Sequence, residues 1–365
     1  MSRRYGKSEI FAVHQESPFN GSVLARDISH DEITLTEDFY VRGHGPVPSL
    51  DRDSHRLHVR GMVERELTLT LDELKRDFPI RTLEVTLQCA GNRRKELHDI
   101  RPMQKNALLW EAEAISNAIW TGVEMGDVLR AAGVQEGAAH IAMLGHDLGA
   151  APDGGGFGGS VPISKALMPG TLLAWEMNGE PLPQIHGAPL RTVVPGYIAA
   201  RSVKWLTEIN VQDHPSHNHF QAHDYKIFPP NVTEHNVNWT DGTMLNEHAT
   251  HAAILSPGAG QKTGKGKTTV HGYALAAGNA VITRVELSMD GGETWQDAVF
   301  DSAPRQWVWA RWSCQIGLAA GEHTLIVRAH DSDGYVQPQH PAEIWNFRGY
   351  QNNAWHHVKV EAVGD

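Results

Sequence analysis

Near residue 245 the character of the chain changes, and that change limits the fold more than any other feature. Upstream, short helical and strand patterns alternate. Downstream, helix patterns vanish and only strand patterns remain. A length of 365 residues fits about two domains, and the expected division is 1–245 and 246–365. In the first part, residues 58–63, 82–87 and 140–144 read as strands. Thr70 and Glu73 form a capping-box pattern ahead of Leu74, with Pro79 as the stop. Residues 125–132, closed by Gly133, and 163–168, ended by Pro169 and Gly170, read as short helices. This mixture predicts an α+β domain. The first forty residues are polar, broken by Pro and Gly, and expected to lie over the surface.

Beyond residue 245, Val285, Leu287 and Met289 alternate with polar residues, and residues 290–293 make a hairpin turn into Trp295. Residues 307–312 and 323–329 read as further strands, and 331–334 as another turn. Roughly 120 residues with turns every 8–12 residues fit an all-β immunoglobulin-like sandwich. Residues 256–267 read as a flexible basic loop. Trp307, Trp309 and Trp312 suggest an aromatic strand face suited to pairing with a second copy.

Composition excludes several classes. With 41% hydrophobic and 21% charged residues the chain has an ordinary globular mixture. A net charge of −11 argues against a nucleic-acid partner. The two cysteines, Cys89 and Cys314, are too few for a secreted disulfide scaffold and read as free thiols. No run of 18 apolar residues appears, so no membrane-spanning helix is expected. The pair Arg3 and Arg4 lacks the apolar stretch of an export signal, so the chain as written reads as cytoplasmic, and as periplasmic had a leader been removed.

Cys89 is the most informative single residue. It ends an apolar strand and is followed by a small-residue turn and by Arg93 and Arg94. A thiolate is a soft metal ligand or a nucleophile, and adjacent positive charge favours that form; a buried structural cysteine is the alternative. His186, Arg191, Arg201, Ser202 and Lys204 form a second, donor-dense stretch interrupted by Pro and Gly, which suits an anionic ligand. Arg42 and His44 sit in a further polar loop. Three other patterns are weaker. Gly154, Gly156 and Gly159 match a dinucleotide fingerprint but lack its strand, and a flexible loop is expected. His214, His217, His219 and His223 fit no zinc spacing. Asp331 and Asp333 open like a calcium loop without its downstream acid, and a turn is expected.

Taken together, these segments resemble the sulfite oxidase family of molybdenum enzymes, from about Phe39 to Val358. The resemblance implies a molybdopterin-binding domain followed by a dimerisation sandwich. It also implies oxidation of sulfite to sulfate by oxygen-atom transfer, with electrons passed to an external acceptor such as cytochrome c or oxygen. On this basis Cys89 ligates molybdenum. Tyr40, Arg42, His44, Gly145, His146, Asp147, His186, Arg191, Ser202, Val203 and Lys204 contact the pterin cofactor. Arg42, Arg94, Arg348, Trp110 and Tyr225 surround the sulfite anion, whose charge several guanidinium groups would compensate. No haem domain is expected within these residues, and a homodimer is. The rival molybdoenzymes are a sulfane dehydrogenase and a nitrate reductase. The rival outside catalysis is a metal-free binding module built on the sandwich.

Overall fold

The computed structural model describes residues 4–103 and 107–364; Arg3 of the amino-terminal arginine pair lies outside them. Strands dominate. Among the described residues the longest α-helix, Met125–Ala132, has 8 residues.

Two sheets organise the first part of the chain. In one, the order is Glu180–Pro181, Leu172–Met177, Ile115–Glu124, Ile80–Gln88, with Arg191–Val193 also paired to Leu172–Met177. In the other it is Leu67–Leu69, Leu57–Gly61, Leu206–Gln212, His140–Gly145, Gly158–Pro162. The strand Ile80–Gln88 is exposed at its start and fully buried over its last four residues. It therefore carries the chain from the surface inward and delivers Cys89 to the interior. Helix Leu71–Asp77 begins where the capping box places it: Oγ1 of Thr70 accepts the Glu73 amide at 3.1 Å, and the Thr70 amide donates to the Glu73 carboxylate at 2.8 Å. Its Leu74 joins Leu57, Val128, Leu129, Ile141 and Leu206 in a core with no exposed surface. Each such side chain contributes about 1.5–3 kcal/mol by leaving water.

Two further sheets build the second part. One runs His251–Ser256, Gly266–Leu275, Ala310–Leu318, Val299–Phe300. The other runs Lys262–Gly264, His356–Val363, Gly321–Asp331, Ile282–Ser288, Gln296–Asp297. Val270, Trp312 and Ile316 of the first share one core with Val285, Leu325 and Val358 of the second. The turn after Gly321–Asp331 is held by the Asp331 carboxylate, which accepts the amides of Asp333 and Tyr335 at 3.0 Å each.

Four expectations change. The aromatic face is not a face: Trp309 and Trp312 are buried, and Trp307 precedes the strand with a left-handed φ of 65°. The indole of Trp309 donates to the Glu32 carbonyl at 2.8 Å, so its polar edge is used within the chain. The basic segment 256–267 is partly strand, because Lys262–Gly264 pairs in parallel with His356–Val363. The amino-terminal stretch is embedded rather than superficial: Lys7, Asn20 and Ser22 are buried, and Gly21 bridges to Val41. The glycine-rich loop is tied down, with the Ala151 amide donating to the Gly155 carbonyl at 2.9 Å.

Candidate active site

A cavity opens where the strand ending at Gln88 meets the segments around residues 40, 147, 186 and 202. Cys89 lies in its wall. The turn behind the thiol is set by backbone bonds: the Cys89 amide donates to Ala114 at 2.9 Å and the Gly91 amide points at Sγ from 3.4 Å. The two following arginines separate in role. Arg93, with a left-handed φ of 62°, is fully buried and bidentate to Glu96 at 2.6 and 2.7 Å. It also donates to the Ala354 carbonyl at 2.9 Å, tying the site to the second part of the chain. Arg94 donates to the carbonyls of Leu108 and Gly349 and lies 5.1 Å over the ring of Tyr350.

The cavity brings together Tyr40, Arg42, His44 and Cys89 with Asp147, His186, Arg191, Ser202, Lys204 and Tyr225. Among the described lining residues, Asp147 is the one carboxylate set against the cations Arg42, Arg191 and Lys204. Among the described residues the guanidinium of Arg191 donates only to carbonyls, those of His186, Thr192 and Ser202. Burial pulls its pKa down to about 10. Lys204 comes within reach of this group because Gly187, at φ 110°, lacks a side chain: a Cβ there would stand 2.9 Å from that of Lys204. Burial, and then Arg191, bring the Lys204 ammonium down to about 7. Burial raises the Asp147 carboxyl, whose oxygen accepts the Phe157 amide at 2.9 Å.

Tyr225 and His44 meet across the opposite wall, Oη to Nε2 at 3.0 Å. Burial, then Arg42, hold His44 well below its usual pKa, and burial raises that of the Tyr225 phenol. Both are neutral near pH 7. Phe157 and Phe220 pack on the His44 ring at 4.8 and 4.6 Å between centroids.

Other nominated residues fall outside the lining. Arg348 pairs with Asp224 at 3.1 Å and flanks Tyr350 at 5.6 Å, and the Tyr350 ring stacks on Tyr225 at 5.3 Å. Arg94 and Arg348 both flank the Tyr350 ring, and the Arg94 guanidinium also lies against Gly91 in the turn after Cys89. Trp110 is buried in the apolar cluster that contains Cys89, with its ring against His14 at 4.9 Å. His146 is exposed and enters only through its amide, bonded to the Trp205 carbonyl at 3.0 Å. Gly145 makes room, since a Cβ there would meet the Lys204 carbonyl at 2.5 Å. Val203 is core, and its amide donates to Oγ1 of Thr192 at 2.7 Å.

Two contributors escaped the sequence reading. Lys7 sends its ammonium to His186 Nε2 at 2.9 Å while donating to the carbonyls of Thr36 and Phe39. A lone lysine in a polar stretch gives no signal of this. Phe157 comes from the glycine-rich stretch, which reads in sequence only as a flexible loop and gives no sign of a wall residue.

The donor set fits an anionic, sulfur-ligated cofactor. One thiol stands in a cavity wall among three cationic side chains. Among the described residues the Arg191 guanidinium meets only neutral carbonyls, and Asp147 is the one carboxylate of the lining, so the wall carries positive charge that no side chain offsets. A molybdenum–pterin group carries the phosphate and the open metal valence that such a wall would satisfy.

A family model described as an oxidoreductase molybdopterin binding domain matches residues 44–220, and one described as a Mo-co oxidoreductase dimerisation domain matches residues 243–363. The chain is 42% identical over 359 residues to the mitochondrial sulfite oxidase of Macaca fascicularis, covering 95% of this chain and 65% of that protein. It is thus similar to a relative of which it spans less than two thirds. It is 35% identical over 367 residues to the sulfite oxidase of Arabidopsis thaliana, covering 95% of this chain and 92% of that one. Among solved structures, the sulfane dehydrogenase SoxCD from Paracoccus pantotrophus matches with a TM-score of 0.80 at 26% identity, covering 98% of this chain and 90% of its own.

Proposed function

Because the chain belongs to the sulfite oxidase family, we propose that it oxidises sulfite to sulfate with a molybdenum–pterin cofactor and passes the electrons to an external acceptor. The observation that carries this reading is Cys89 in the wall of a cavity whose described cations, Arg42, Arg191 and Lys204, face one carboxylate, Asp147. When bound, the cofactor supplies a two-electron couple and oxygen-atom transfer.

Cys89 holds the metal through sulfur. Arg191, Lys204, His186 and Ser202 cradle the anionic end of the pterin, with Lys7 behind His186. Tyr40, Arg42 and His44 close the cradle from one side and Asp147 from the other. Gly145, His146 and Val203 support the cradle from outside its lining, their amides bonded to the carbonyls of Phe157 and Trp205 and to Oγ1 of Thr192. Sulfite enters between Arg42 and Tyr225, with Arg94 and Arg348 adding positive potential from beside Tyr350. The positive charge of Arg42, Arg94 and Arg348 lowers the cost of removing the anion from water. The neutral Tyr225 phenol donates one hydrogen bond to an oxyanion oxygen and orients it. Trp110 packs behind Cys89 and shields the metal ligand from water.

The second part of the chain, from residue 246, acts as an immunoglobulin-like dimerisation domain. The match to a dimerisation model supports a homodimer; the buried tryptophans do not form its interface. A native mass of one chain at micromolar concentration would remove this assignment.

The purified protein is tested for molybdenum content and for reduction of ferricyanide, cytochrome c and oxygen with sulfite. Near-stoichiometric molybdenum and sulfite-dependent reduction of at least one acceptor are expected. A metal-free protein inert to sulfite would favour the binding-module alternative. The overall likeness to SoxCD favours one second reading, and turnover of a sulfane in place of sulfite would establish it.

A further inference from the structure

Beside the cavity, a widened helical turn at Phe220–Asp224 follows His219. It gathers a second set of ligand atoms. Nε2 of His219 lies 3.4 Å and Nδ1 of His223 lies 3.2 Å from the same Asp224 oxygen. The ligand atoms of these three residues all fall within 4.8 Å of one another. Around a tetrahedral zinc ion with bonds of about 2.0–2.1 Å, neighbouring ligand atoms stand about 3.3 Å apart. The two nitrogen–oxygen separations bracket that value. Spacing along the sequence hid the arrangement, because the third ligand is not a histidine. The ring of His223 is held by Trp239, stacked at 3.6 Å between centroids. All three side chains are partly exposed, which leaves a fourth position for water.

We propose that His219, His223 and Asp224 form a reversible site for a divalent transition cation, zinc foremost, since two imidazoles and a carboxylate suit that class. The Asp224 oxygen that faces both rings also receives Arg348 at 3.1 Å. A bound cation competes with Arg348 for that oxygen. Arg348 flanks Tyr350, which stacks on Tyr225 in the cavity wall. Occupancy therefore shifts how tightly sulfite is held; this consequence rests on the proposed function, whereas cation binding does not.

The protein is titrated with zinc by calorimetry, and with cobalt as a visible-absorbing substitute. The His219→Ala/His223→Ala double variant is expected to lose one equivalent, or to bind it at least about tenfold more weakly. His214→Ala, which alters the neighbouring His214–His217 pair, is expected to keep that equivalent. Should the double variant lose its fold by circular dichroism, His219→Gln takes its place with the same expectation. Unchanged zinc binding in these variants, or none in the parent protein, would overturn the site. The link to Arg348 is read separately. Zinc is expected to change the KM for sulfite in the parent and not in the double variant. A KM unmoved by zinc in a protein that binds it would overturn the link and leave the cation site standing.

Discussion

The hydroxyl of Tyr225 stands 3.0 Å from Nε2 of His44, and both groups are held neutral inside a cavity lined by cations. A neutral phenol keeps its proton and can donate a hydrogen bond to an oxyanion without becoming a competing charge. Tyr225→Phe removes that donor while keeping the ring stacked on Tyr350 at 5.3 Å. The expected result is a fall of about 10- to 100-fold in kcat/KM for sulfite at an unchanged melting temperature, since one hydrogen bond to a charged group contributes about 1.5–3 kcal/mol. Steady-state kinetics with unchanged kcat/KM would contradict the role.

Lys204 gives the cradle a pH dependence. Its pKa falls from 10.5 to about 7 because the ammonium is buried, with Arg191 adding to the shift. Between those values the unfolded chain binds a proton that the folded cofactor-free cradle does not. The group's contribution to stability is therefore poorest below about pH 7 and improves as pH rises toward 10.5. An anion in the cradle reverses the balance by favouring the charged form. Sulfate is expected to raise the melting temperature of the cofactor-free protein more at pH 6 than at pH 9. Equal shifts at both values, measured by scanning calorimetry, would contradict this.

Glu113 titrates in the opposite sense. Its side chain is buried, Oε2 has no partner among the described residues, and the carboxyl is pushed up to about 7. The protonated acid suits the fold, so this contribution is fully present below about pH 4.5 and is lost as pH rises through about 7. Glu113→Gln keeps the acceptor for the Glu111 amide, now 3.0 Å from Oε1, without the charge. The variant is expected to gain on the order of 1–3 kcal/mol at pH 8 and less at pH 5. Denaturant unfolding at the two pH values checks the difference.

Local chemistry was readable where one residue or a short run decides it. Thr70 and Glu73 announced their helix, and the apolar run ending at Gln88 announced that Cys89 would be delivered inward. The density of donors from His186 to Lys204 pointed to one shared polar site, and His186, Arg191, Ser202 and Lys204 do line one cavity. What stayed hidden depends on contacts between distant segments. Lys7 reaches His186 across 179 positions. Arg348 meets Asp224 only because the end of the second part of the chain returns to the first. Arg93 and Arg94 look equivalent as neighbours, yet a left-handed φ sends one to Glu96 and the other to Tyr350. The tryptophans 309 and 312 misled for a related reason: large apolar side chains mark burial, and pattern alone does not say whether a core or a partner buries them.

The central claim is that the sulfur of Cys89 is a ligand of molybdenum. X-ray absorption at the molybdenum edge tests it most directly, with the parent protein compared to Cys89→Ser. The substitution is expected to remove one sulfur neighbour from the metal, abolish sulfite oxidation and leave the melting temperature of the fold intact. An unchanged sulfur shell, or substantial turnover in the variant, would contradict it.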